Sequence, residues 1–141
     1  MKNLQSFLEP IGKDEKKTLV ISERFIDPET KKPIPFEIKV VTTKANASIS
    51  KRSKRLIGKQ RSGEPITEID GNKYSSLLIV EGTVYPDFRN AELAAGYGLA
   101  DPADVVDEML YPGEKEKLAN AIAELSGFNL NPELIEEEAK N

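Results

Sequence analysis

Apolar and polar residues alternate over Pro35–Thr42, with Phe36, Ile38 and Val40 pointing one way and Glu37 and Lys39 the other. A period of two marks a strand with one buried face. Thr18–Ile26 has the same character, with Leu19, Ile21 and Phe25 on one side. Asp27-Pro28-Glu29-Thr30-Lys31-Lys32-Pro33 lies between them and is rich in turn formers. The two segments therefore predict an antiparallel hairpin with a long loop. A lone hairpin is marginal in water, so its apolar face needs a layer of helices to lie on.

Elsewhere the period lengthens. Met1–Glu9 suggests one helical turn around Leu4, Phe7 and Leu8, stopped by Pro10 and Gly12. Thr42 or Thr43 can cap a helix running to about Gly58, with Ala45, Ala47, Ile49, Leu56 and Ile57 as its thin apolar content. Gly58, Gly63 and Pro65 end it. Asp70-Gly71 opens the next element, in which Tyr74, Leu77, Leu78 and Glu81 keep helical spacing. The run Leu77–Val80 also fits a strand; helix is preferred because the basic segment before it makes a poor sheet partner. Pro86 closes it, and Asn90 caps a short helix ending at Gly96 or Gly98.

The C-terminal punctuation is clearest. Asp101 is a good N-cap, and Pro102 at the first helical position loses an N–H that had no partner anyway. Val105, Val106, Met109 and Leu110 form one stripe, which Pro112-Gly113 interrupts. Leu118, Ala121, Ile122 and Leu125 then recur at helical spacing, and Gly127 stands where a left-handed residue is wanted, with Phe128 folding back behind it. Asn131-Pro132 repeats the start signal for a last acidic helix. The expected class is α+β: an N-terminal antiparallel β-hairpin packed with about five α-helices, the C-terminal part all helical. A chain of 141 residues suits one domain, 1–141, with a possible division into 1–98 (hairpin plus helices) and 99–141 (an acidic helical arm).

Composition narrows the function classes. There is no cysteine, histidine or tryptophan. That removes thiolate chemistry, the commonest general base and the commonest transition-metal ligand, so no catalytic, metal or cofactor-binding residue is assigned. No apolar run is long enough to span a bilayer, and Met1–Gly12 lacks the pattern of a signal peptide; a soluble, cytoplasmic protein without membrane contacts is expected. Charge is asymmetric. From Lys44 to Arg61 every charged residue is basic, whereas eleven acids face only Lys115, Lys117 and Lys140 between Asp101 and Asn141. Solvated helix faces explain this simply; head-to-tail self-association or docking on a charged partner is the sharper reading.

Four features are candidates for chemistry. Lys51-Arg52-Ser53-Lys54-Arg55 suggests phosphate binding, but no aromatic interleaves it, so a solvated helix face is preferred. Asp101, Asp104, Asp107 and Glu108 are spread around a capped helix and lack the glycine turn of a calcium loop. Gly96-Tyr97-Gly98 has neither the third glycine nor the Lys-Ser/Thr ending of a phosphate loop and reads as a helix end. The stripe Val105, Val106, Met109, Leu110, Leu118, Ile122 and Leu125 is core on the simplest reading. Its functional reading is a groove for an amphipathic helix of another protein, with Met109 as a plastic contact.

In order and spacing, Phe36-Glu37-Ile38-Lys39, Val84-Tyr85-Pro86-Asp87-Phe88, Ala91-Glu92-Leu93, Tyr97-Gly98, Asp101-Pro102, Met109-Leu110 with Pro112-Gly113-Glu114, and Ser126-Gly127-Phe128 resemble the XkdN-like phage tail assembly chaperones of prophages in Gram-positive bacteria. The resemblance covers most of the chain from Pro35 onward. It implies a non-enzymatic chaperone in the host cytoplasm that binds the tape measure protein, keeps it soluble during tail morphogenesis and is absent from the mature virion. It implies the tail-tube protein and further copies of the chain as additional partners, and no nucleic acid. The alternative is a nucleic-acid-associated phage regulator using residues 44–61.

Overall fold

The computed structural model describes residues 4–12 and 15–130. In chain order its elements are α1 (Gln5–Leu8), β1 (Lys16–Leu19), β2 (Phe36–Lys39), α2 (Thr43–Arg52), β3 (Lys54–Lys59), β4 (Pro65–Ile69), α3 (Gly71–Gly82), β5 (Thr83–Tyr85), α4 (Ala91–Tyr97), α5 (Pro102–Met109) and α6 (Pro112–Leu125). The class is α+β, as the alternating and helical periods predict. The expected last helix, from Asn131, lies outside the described residues.

The N-terminal hairpin is present. β1 and β2 pair antiparallel from Lys16↔Lys39 to Leu19↔Phe36, and Phe36 and Ile38 are buried. The first strand is shorter than expected and stops at Leu19. Beyond it Ile21 still enters the core, and Ile26 retains only an isolated bridge to Pro33. The alternation there reflects an irregular segment laid over apolar side chains. A third strand was not expected: β5 pairs with the other edge of β2 through Glu37↔Tyr85 and Ile38↔Thr83, giving the order β1-β2-β5. Three residues are too short for alternation to show.

The helix expected to reach Gly58 ends at Arg52. Thr42 caps it by accepting from the Ala45 N–H, and the Ser53 hydroxyl donates to the Ile49 carbonyl at 2.6 Å where it stops. The basic segment then becomes a second hairpin. β3 and β4 pair from Lys54↔Ile69 to Lys59↔Pro65, with a bulge between Leu56 and Gly58. The turn closes through the Gln60 N–H to the Glu64 carbonyl at 2.8 Å, with Gly63 at φ +89°. A short hairpin loop needs a left-handed residue at this point, and glycine adopts it without steric cost. The Asp70 N–H donates to the Ser53 carbonyl at 2.8 Å and ties the base.

The helical layer follows its caps. The Asp70 side chain accepts from the N–H groups of Asn72 and Lys73, and Asp101 from that of Ala103. Each cap satisfies an otherwise orphaned donor and contributes about 1 kcal/mol. At the end of α6 the Phe128 N–H reaches the Ala123 carbonyl and the Gly127 N–H that of Glu124, a Schellman stop with Gly127 at φ +85°. α3 is the central element, with Ser76–Val80 and Gly82 all buried. α5 and α6 pack against it, and one apolar cluster takes in Phe36 and Ile38 from the sheet, Ile49 from α2, Leu78 and Ile79 from α3, and Val105, Val106, Leu118 and Ile122 from α5 and α6.

Candidate partner surfaces

The stripe predicted as a docking face is turned inward. Val105, Val106, Leu118 and Ile122 are 0% exposed, Met109 and Leu110 are nearly so, and Leu125 is half-buried against the same cluster. The structure does bring all seven together, but it covers them with α3 and the sheet. Burying each such side chain stabilises by about 2 kcal/mol, which a free groove would forgo. The stripe as a whole is therefore core, and only its edge reaches a surface.

That edge is a groove of about 1060 Å³ running along α6. Leu110, Ala119, Phe128 and Leu130 give it an apolar floor, and Asn72, Ser75, Asn120, Glu116 and Glu124 give it a polar rim. Of the seven stripe residues, Leu110 alone lines it. One end is fixed by a polar knot. Lys115 Nζ donates to Asp107 Oδ1 and Asn72 Oδ1, both at 2.7 Å, and the buried Ser76 hydroxyl donates to the same Asp107 oxygen at 2.8 Å. This joins α3, α5 and α6 at a point where the acidic residue is already neutralised. Glu116 and Glu124 are exposed and make no ion pair among the described residues, so the open rim is negative.

The elbow between α5 and α6 is held by Arg24. Its guanidinium donates to both Glu114 carboxylate oxygens, at 2.9 and 2.5 Å, and to the Met109 carbonyl at 3.0 Å. It also stacks 3.7 Å above the Tyr111 ring and 4.9 Å from the Phe25 ring centroid. Glu114 in turn accepts from the Tyr111 N–H at 2.8 Å, capping α6 from its third position. The Arg24 hydrogen bonds, resisted by burial and helped by Ser22 and the Tyr111 N–H, hold the Glu114 carboxyl down at about 2. Nothing in the sequence pattern linked Arg24 to Glu114 across so long a separation.

The second surface is the β3–β4 hairpin. Apart from half-buried Gly58, every residue from Lys54 through Ile69 is exposed. Leu56 is 61% exposed, Ile57 54% and Ile69 51%. In the register, Leu56↔Thr67 and Lys54↔Ile69 stand two residues apart, so Leu56 and Ile69 share a face. Arg55 pairs with Glu68 at 2.6 Å, whereas Lys54, Lys59 and Arg61 make no ion pair among the described residues. The basic residues thus spread over a helix end and a ribbon, not a helix face, and no aromatic accompanies them.

The remaining candidates resolve into local structure. Gly96-Tyr97-Gly98 ends α4, with Gly98 at φ +70°. Asp101 is a cap and lies 3.7 Å from Lys73, Asp107 belongs to the Lys115 knot, and Asp104 and Glu108 face solvent. Among the described residues no group of three acidic side chains could hold a metal ion, and no helix is long and apolar enough to cross a membrane.

The chain is similar to known proteins over most of its length. A family model described as "Phage XkdN-like tail assembly chaperone protein, TAC" matches residues 4–140. The chain is 34% identical over 125 residues to the phage-like element PBSX protein XkdN of Bacillus subtilis (strain 168), covering 86% of this chain and 81% of that protein. It is equally similar to the uncharacterized protein YqbN of the same organism, 34% identical over 125 residues and covering 80% of it. The crystal structure of YqbN superposes with a TM-score of 0.70 at 30% identity, covering 88% of this chain and 96% of that one.

Proposed function

This chain belongs to the phage XkdN-like tail assembly chaperone family, and from that premise we propose that it binds the tape measure protein, keeps it soluble while the tail is built, and is absent from the finished virion. The tail-tube protein is the partner that displaces it. The work is non-enzymatic and takes place in the host cytoplasm.

The observation that carries this reading is the groove beside α6. An apolar floor with a polar rim suits an amphipathic helix, whose buried stripe and charged flanks match the two zones. A long helical client exposes such stripes and aggregates when they stay bare. Val105, Val106, Met109, Leu118, Ile122 and Leu125 support the groove from behind, and Leu110 contributes to its floor. Recognition by packing needs no cofactor.

Co-expression with the tape measure protein of the same phage tests this. The soluble fraction of the client should rise and the two chains should co-purify. Asn120→Trp fills the groove from an exposed position and should abolish co-purification while leaving the melting temperature of the chaperone unchanged. A client equally insoluble with and without the chain, and never retained by it, refutes the proposal.

A further inference from the structure

We propose that the N-terminal arm, residues 4–11, is a latch that closes over the α6 groove of its own chain and holds the place of a client helix until one arrives. Leu4, Phe7 and Leu8 are at least 70% exposed and Ile11 is wholly so, whereas no other large apolar side chain among the described residues exceeds 61%. The N–H groups of Phe7 and Leu8 both donate to the Leu4 carbonyl, at 3.0 and 3.1 Å, so Leu4, Phe7 and Leu8 stand on one side of α1. A single helical turn is marginal in water, and this one has no buried residue to hold it. Such a stripe is an anchor for an apolar groove.

The arm is rooted beside the groove. The Val40 N–H donates to the Glu15 carbonyl at 3.4 Å, and the next N–H, of Val41, donates to the Ser126 hydroxyl at 2.9 Å. Two residues after Ser126, Phe128 enters the groove wall, followed by Asn129 and Leu130. Ile11 precedes Glu15 by four residues, a reach of about 13 Å, and Leu4 lies farther out along the same tether. Gly12, at φ +88°, is the joint. The Glu15 N–H closes a turn on its carbonyl at 3.1 Å, and a glycine there can rotate without a Cβ clash. In the structure the arm stands open, since none of residues 4–12 lines the groove.

Chemistry favours this occupant. Leu4, Phe7 and Leu8 supply a stripe for the floor of Leu110, Ala119, Phe128 and Leu130. Lys2 and Lys13, at the two ends of the arm, outnumber Glu9 against the acidic rim of Glu116 and Glu124. The other segment that begins at the groove, residues 131–141, carries Glu133, Glu136, Glu137 and Glu138 against Lys140 alone, so the rim repels it. A latch lowers the affinity for a competing helix by the fraction of time the groove is open. It rests on the reading of the groove as a site for an amphipathic helix. Its test uses no client, so its failure leaves tape measure binding standing, and a failed co-expression leaves the latch standing.

A fluorescent peptide of residues 1–13, titrated with the purified full chain and read by anisotropy, provides the test. Leu4→Ser/Phe7→Ser/Leu8→Ser weakens the latch at exposed positions, and this triple variant should bind the peptide at least tenfold more tightly than wild type does. Adding Asn120→Trp to the triple variant should abolish that binding. The chain has no cysteine, so Gln5→Cys/Glu116→Cys introduces a clean pair for a short bismaleimide. The pair should cross-link within one chain at a rate independent of protein concentration, with a yield that falls at least tenfold in the triple-variant background. A peptide that does not bind the triple variant, binds it no better than wild type, or still binds after Asn120→Trp overturns the proposal. So does a pair that stays unlinked, links two chains, or links equally well in the triple-variant background.

Discussion

A methyl group placed on Gly82 would lie 2.5 Å from Ile122 Cγ2, so the end of α3 approaches α6 through a gap that only glycine leaves open. Ile122 is wholly buried and cannot swing away without disturbing the core. Gly82→Ala should therefore destabilise by about 1–3 kcal/mol through overpacking, despite the better helix propensity of alanine. Adding Ile122→Val should recover part of that loss. Chemical denaturation of the two single variants and the double variant measures the coupling.

The burial of Leu118 and Ile122 predicts an effect on folding ahead of any effect on binding. Leu118→Ala or Ile122→Ala should each cost about 2–5 kcal/mol. A variant of either residue that kept full stability and lost only client binding would contradict the packing described above. Thermal melts beside pull-down assays separate the two.

Acid should weaken the Arg24–Glu114 clasp in a defined window. The Glu114 carboxyl is lowered from 4.5 to about 2, chiefly by its hydrogen bonds with Arg24. A lowered carboxyl gives stability that is whole above its unfolded-state value and lost as pH falls toward the folded one. The contribution should thus be complete above about pH 5 and decline progressively down to about pH 2. Other carboxyls titrate there too, so the informative quantity is a difference. Wild type minus Glu114→Gln, followed by unfolding at each pH, should show a gap that narrows with acid.

The Thr83 hydroxyl is buried without a hydrogen-bond partner among the described residues. Thr83→Val keeps the β-branched shape that suits β5 and removes an unpaired polar atom. It should be neutral or stabilising by about 1 kcal/mol, as read from a denaturation midpoint.

Local chemistry was legible in the sequence wherever one side chain decides the outcome. Asp70, Asn90 and Asp101 cap helices where their types predict, and Gly98 and Gly127 end them. Periodicity misled at Ile49 and Leu56. They are seven residues apart, the spacing of one helical face, yet Ile49 is sealed and Leu56 is open because the chain changes from helix to strand between them. The stripe from Val105 to Leu125 was correctly seen as apolar, but a period cannot say what lies against a face. A groove was expected on this stripe, but its actual position was not legible, since Leu110 alone of the seven residues lines it. Its lining is drawn from α3, α5, α6 and the segment after Gly127, which are distant enough in sequence that no local pattern brings them together.

The wet ribbon between Ser53 and Asp70 has a practical corollary. Its attachment points already meet through a backbone hydrogen bond, so the globule beneath does not rely on it for closure. Brief trypsin treatment should nick first after Lys59 or Arg61 and leave the rest folded. Fluorophores, epitope tags or even a small inserted domain should be accepted at that turn. The molecule thus carries a natural handle, through which its traffic during particle construction can be watched without perturbing the body that does the work.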